Sequence, residues 1–177
     1  TQDGLFAIDG STGKKSSFFV NTHLESGRAG QSFFSAVSVN EHVYFTSGYG
    51  RIWKYSLKDE SFELKELSLE DDIVAIRRLA GNKIIMATRK SGFVVGDESL
   101  DNLTYYNPAD KFDFSRFPVR SLYVDSHSEV WFEVQKVGCV CHFNPSTGVF
   151  KVEQASVEQE PGDAPKFAVC EDKQGDL

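Results

Sequence analysis

Residues 9 to 17, "DGSTGKKSS", carry the side chains a phosphate-binding loop uses: paired glycines, a lysine behind the second, and a serine two places on. Such a loop wraps backbone N–H groups around phosphates and needs another glycine five residues before its Gly-Lys pair. Counting back from Gly13, that position holds Ile8, so the stretch is no phosphate cradle. Cys139 and Cys141 in "GCVCHF" offer two sulfurs with His142 beside them, and Cys170 stands alone. On a strand both sulfurs point to one face, poorly placed to bond each other, and His142 points to the other. No second ligand pair follows at a zinc-like spacing, so they read as ordinary strand cysteines and no metal is expected. "LEDD" at 69 to 72 gathers acids, but glycoside hydrolysis needs two opposed carboxylates, and adjacent charges in a loop read as solvated. His23, His42, His127 and His142 are scattered, with no nucleophile to partner any of them. Neither a catalytic set nor a cofactor is expected.

The composition is that of an ordinary soluble domain: 177 residues, 40% hydrophobic and 25% charged. Fifteen Phe, six Tyr and two Trp against one Met favour β-structure, where flat rings pack on pleated surfaces. A formal charge of −7 argues against nucleic-acid contacts, which need a basic field. No apolar run approaches the ~18 residues of a membrane span.

The element that positions these residues is an internal repeat. "FNPSTGVFK" at 143 to 151 matches "IDGSTGKK" at 8 to 15: an apolar strand end, a polar turn closing on Ser-Thr-Gly, then another strand. Gly13 and Gly148 supply the positive φ such a turn wants. Outward from it, residues 33 to 65, 73 to 105 and 118 to 152 each hold four short strands, with second strands "VYF", "IIMA" and "VWFEV". Equivalent positions Ile8, Tyr55, Gly96 and Phe143 are 47, 41 and 47 residues apart. Four strands at a period of about 41–47 residues mark a β-propeller blade. The expected fold is all-β, a propeller segment of four-stranded antiparallel blades, cut from a larger propeller. Residues 1–31 are the end of one blade and a connection; 32–71, 72–117 and 118–164 are blades; 165–177 begin the next.

In this register the loop between second and third strands emerges on one propeller face each time. It reads "SGYGR", "RKSG" and "QKVG", which gathers Tyr49, Arg51, Arg89, Lys90 and Lys136 on one rim of an acidic chain. Guanidinium forks and an aromatic face suit a carboxylated or sulfated sugar. Arg28, Tyr106 and Arg116, in the longer connections, are weaker candidates for the same face. Sialidase boxes of the form Ser-x-Asp-x-Gly-x-Thr-Trp are not matched, since "DSHSEVW" has the wrong spacing.

"VRSLYVDSHSEVWFEVQKVGCVCHFNPSTGVFKV" resembles the two-component regulator propeller repeat, an Asp-x-x-Gly-x-Leu-Trp core followed by Gly-Leu with Tyr-Asp and then Thr-Gly-x-Phe. "DKQGDL" at 172 to 177 fits the first part and "TQDGLFAIDGSTGK" at 1 to 14 the second. Residues 32 to 107 are degenerate: Asn40 and Ala80 stand for the Asp, Tyr44 and Ile85 for the Trp. The resemblance implies the periplasmic sensor region of a hybrid two-component histidine kinase of polysaccharide-degrading gut bacteria. It implies an oligosaccharide ligand, further blades of a membrane-anchored and homodimeric parent, and a kinase outside this segment. Three cysteines, an odd number, sit awkwardly with an oxidising compartment. On that reading the segment binds and catalyses nothing. A propeller scaffold for a protein partner is the alternative, and a glycosidase or lyase fragment the least supported.

Overall fold

The computed structural model describes residues 5–18, 33–107, 113–114, 119–134, 140–153 and 169–176. Contacts divide the chain into two units, 1–33 and 34–177. The first holds a two-stranded hairpin of β1 (Leu5–Ile8) and β2 (Lys15–Phe18). The second is built on three four-stranded antiparallel meanders. These are β3 (Phe33–Val39), β4 (His42–Ser47), β5 (Arg51–Ser56) and β6 (Ser61–Glu66); β7 (Ile73–Arg78), β8 (Ile84–Thr88), β9 (Phe93–Gly96) and β10 (Leu103–Tyr106); and β11 (Val119–Val124), β12 (Val130–Val134), β13 (Val140–Asn144) and β14 (Val149–Glu153). Strand β7 lies against β4 on one side and β11 on the other, so the sheets follow one another face to face. The chain is all-β, three blades of a propeller in succession. Among the described residues no helix is long and apolar enough to cross a membrane.

The middle sheet shows why its strands are apolar without interruption. Neighbouring side chains on a strand point to opposite faces, and here both faces are covered. Ile84, Met86 and Val94 pack into the layer shared with the first sheet, beside Tyr44, Ile52 and Ile76. Ile85, Ala87, Phe93 and Val95 pack into the layer shared with the third, beside Leu122, Phe132 and Phe143. Aromatic rings fill the second layer: Phe93 sits 4.8 Å from Phe132 and 5.5 Å from Phe143, centroid to centroid. Each such fully buried side chain contributes roughly 1.5–3 kcal/mol. The outer strands β6 and β14 are largely exposed, which suits their alternating or polar sequences.

The turns explain the repeat residue by residue. Four hairpins are closed by pairs seven residues apart: Ile8 with Lys15, Tyr55 with Phe62, Gly96 with Leu103 and Phe143 with Phe150. The next residue caps each turn with its side chain. Asp9 Oδ1 accepts the Ser11 and Thr12 N–H groups at 2.8 and 2.9 Å, and Asn144 Oδ1 accepts those of Ser146 and Thr147 at 2.9 and 3.1 Å. Gly13 and Gly148, at φ of 67° and 71°, close the two turns. The N–H groups a phosphate would need are therefore spent inside the turn. Ser11 and Thr12 also hold the Asp9 carboxyl down to about 2.

The Asp-x-x-Gly-x-x-Trp pattern is a second cap. Asp125 Oδ1 accepts the N–H groups of His127 and Glu129 at 3.0 and 2.8 Å, while Oδ2 accepts the Trp131 indole N–H at 2.9 Å. Asp172 repeats the cap on Gln174 and Asp176. Left-handed backbone follows at Ser128 (φ 63°) and Gly175 (φ 89°). In the middle blade the Leu79 N–H to Lys83 carbonyl bond matches that from Asp125 to Glu129. Leu79, not Ala80, therefore stands in the Asp place, one residue from the position read in the sequence. Ile85 does hold the Trp place, since Ile85 pairs with Val95 as Trp131 pairs with His142.

Candidate functional site

Each sheet has a hairpin end, where β3–β4, β5–β6 and their counterparts turn, and a loop end, where β4–β5 and β8–β9 turn. The predicted rim lies at the loop end. Tyr49 and Gly50 form the β4–β5 turn, both with positive φ, 62° and 68°. Gly50 is required there, because a Cβ would stand 2.7 Å from the Leu69 carbonyl oxygen. Tyr49 is 54% exposed despite a backbone that bulky residues avoid. Lys90 and Ser91 form the β8–β9 turn of the next blade.

Asp71 and Asp72 join the two turns. Asp71 Oδ2 accepts the Lys90 N–H at 2.7 Å and the Ser91 hydroxyl at 2.9 Å, and its carbonyl accepts the Gly50 N–H at 2.6 Å. Asp72 Oδ1 accepts the Tyr49 N–H at 3.2 Å, its Oδ2 pairs with Arg89 Nε at 3.1 Å, and its carbonyl accepts the Arg89 N–H at 2.9 Å. The acids that read as solvated charge are a clamp between blades, and Asp71 is only 8% exposed. Burial of a carboxylate is tolerated because charge-assisted hydrogen bonds replace its water.

The predicted residues differ in what they offer. Arg51 turns along its sheet to Glu66, Nε to Oε1 2.9 Å, and its side chain is 15% exposed. Arg89 is shared between Asp72 and the Phe34 ring, whose centroid is 5.9 Å from the guanidinium carbon. Lys90 is exposed and has no ion-pair partner among the described residues. Tyr49, Arg89 and Lys90 thus meet at the Asp71–Asp72 clamp, with Arg51 at its margin. Tyr106 goes elsewhere: its hydroxyl donates to the Pro145 carbonyl at 3.1 Å, on the next blade's β13–β14 turn. Lys136, Arg28, Arg116 and Cys139 lie outside the described residues.

Among the described residues no cluster of three or more His, Cys, Asp or Glu side chains could hold a metal. Cys141 is buried in the core layer, while His142 lies on the opposite face, stacked on Trp131 at 4.5 Å and facing Glu129. His42 pairs with Glu98, and His127 lies beside Ser126.

Solved structures share the fold. A streptogramin B lyase aligns with TM-score 0.70 and 15% identity, over 89% of this chain and 49% of that one. Virginiamycin B lyase from Staphylococcus aureus gives 0.66 at 14%, over 89% and 50%. The extracellular domain assigned to a hybrid two-component system from B. thetaiotaomicron gives 0.64 at 16%, over 85% and 20%. The chain thus spans half or less of these structures' lengths. At such identities the likeness is one of fold. No protein-family model matches the chain, and no curated protein does.

Proposed function

We propose that this chain belongs to the periplasmic ligand-sensing propeller of a hybrid two-component sensor and binds an acidic oligosaccharide at its loop end. The observation that carries the reading is the Asp125 cap with its Trp131 partner, whose backbone part recurs at Asp172. It is the physical content of the motif by which the chain resembles regulator propellers. Propellers of extracellular two-component domains are among its structural neighbours, which supports the same assignment.

Tyr49 offers a ring for sugar stacking, and Lys90 and Arg89 offer cationic donors, with Arg51 held beside them by Glu66. The clamp from Asp71 and Asp72 couples any contact at one blade's turn to the next blade. A ligand spanning both turns favours one blade arrangement over another, and that difference is the signal passed to a kinase outside this segment, in a homodimeric parent. Binding suffices for this role, without a cofactor or a chemical step. The lyase neighbours suggest the second reading, an enzyme. The described histidines lie away from the loop-end turns, which favours binding.

The test is calorimetric titration of the protein with sulfated and uronate-containing oligosaccharides, repeated with Tyr49→Ala and Lys90→Ala combined. Binding lost in the double variant supports the reading. Turnover of any such sugar, or binding indifferent to both substitutions, would overturn it.

A further inference from the structure

The first two blades are latched at their hairpin ends. Glu98, second residue after Gly96 in the β9–β10 turn, reaches back to the first blade. Its Oε1 meets His42 Nδ1 at 2.8 Å, its Oε2 accepts the Asn40 amide at 2.7 Å, and its carbonyl accepts the Tyr44 hydroxyl at 2.7 Å. Farther out, Lys65 Nζ holds Asp101 at 3.2 Å.

The register names the corresponding residues one blade on. The turns after Gly96 and after Phe143 have equal length, so Pro145 stands where Glu98 does. Val43 pairs with Tyr55 as Ile84 pairs with Gly96, so Lys83 stands where His42 does, and Ile85 where Tyr44 does. Proline has no carboxylate to send across, and its carbonyl is taken by Tyr106 instead of a Tyr44 equivalent. A cleft of about 620 Å³ opens at this position, between the β7–β8 turn, β9–β10 and the β13–β14 turn. That volume lies in the range of small-ligand pockets.

We propose that this cleft binds a small polyhydroxylated carboxylate, a sugar acid, whose carboxylate takes the place that Glu98 fills at the preceding junction. Lys83 is its counter-charge. It lines the cleft, is exposed, and has no ion-pair partner among the described residues. Asp97, Asn102, Thr104 and Ser146 are among its polar lining and suit hydroxyl groups, beside apolar Leu79 and Val95 that suit the face of a sugar ring. Asn102 and Ser99 hold the Asp97 carboxyl down to about 2, so it stays an acceptor throughout the working pH range. One lysine on one side and hydroxyl-compatible groups on the other call for an asymmetric ligand, with one anionic end and several hydroxyls. The site lies at the opposite end of the blades from Tyr49 and Lys90 and stands independently of the sensor reading.

Titration of the full-length protein with sodium D-galacturonate, with D-galactose and sodium acetate in parallel, tests it by calorimetry. Galacturonate binds, and galactose and acetate bind more weakly or not at all. Lys83→Ala weakens galacturonate by about tenfold or more, the worth of one charge-assisted hydrogen bond. Pro145→Glu restores the latch in cis and blocks binding, while its thermal melt shows a folded protein. Absence of galacturonate binding, equal binding of galactose, or affinity unchanged in both variants would each overturn the site. Loop-end substitutions Tyr49→Ala and Lys90→Ala leave galacturonate binding unchanged, so this site and the loop-end site fail separately.

Discussion

The hydroxyl of Tyr44, fully buried on β4, donates to the backbone carbonyl of Glu98 at 2.7 Å across the junction of two blades. Burial first, then the charges of Glu98 and Asp97, push the Tyr44 hydroxyl above its ordinary range, so it remains a neutral donor. One blade's turn is thereby fixed to its neighbour's second strand by the only kind of bond that a sealed layer tolerates, a satisfied one.

Tyr44→Phe removes that donor and leaves a half-buried carbonyl without its partner. The expected loss is about 1–2 kcal/mol of unfolding free energy, read as a lower urea midpoint at unchanged slope.

Glu98 makes the same junction sensitive to acid. Its carboxyl lies below the ordinary value, held there chiefly by the hydrogen bond from His42 and further by Asn40 and Lys54. A group with a lowered folded pKa adds stability above its unfolded value, and that stability is lost as pH falls through the folded one. The difference in slope is therefore absent near neutral pH and opens as pH falls below about 4.5, where wild-type stability drops more steeply than that of Glu98→Gln.

Asp71→Ala strips the partners from the Lys90 N–H and the Ser91 hydroxyl at once. Loss of two hydrogen bonds to a buried carboxylate is expected to cost about 3 kcal/mol in denaturant unfolding. Asp71→Asn, which keeps one acceptor oxygen, costs less.

Trp131→Phe keeps a ring on β12 but drops the indole N–H that satisfies Asp125 Oδ2. About 1 kcal/mol should be lost. Asp125→Ala, which frees the His127 and Glu129 N–H groups as well, should cost more, and both follow from chemical denaturation curves.

The blades were legible in the sequence because their signals are local. Asp9, Ser-Thr-Gly and the equal hairpin spacings are turn chemistry, and "KIIMA" with "GFVV" is what a strand covered on both faces must look like. Local signals end at the junctions. Asp71 and Asp72 read as solvated acids because their partners, Lys90, Ser91 and Arg89, belong to the next blade. Glu98 gave no motif at all, since Asn40 and His42 lie more than fifty residues upstream. Tyr106 reads as the start of the connection after the fourth strand, but it ends β10, and its bond to the Pro145 carbonyl crosses to a blade that no local pattern marks. The one-residue slip at Leu79 has the same origin: with no Asp side chain, only the backbone bond to Lys83 marks the register.

Hydrogen–deuterium exchange on the full-length protein, with and without a bound acidic oligosaccharide, tests the loop-end site most directly. The expected result is added protection at residues 48–51 and 89–92 together, because the Asp71–Asp72 clamp couples them. Protection confined to other segments, or none with any oligosaccharide of the panel, would contradict the account.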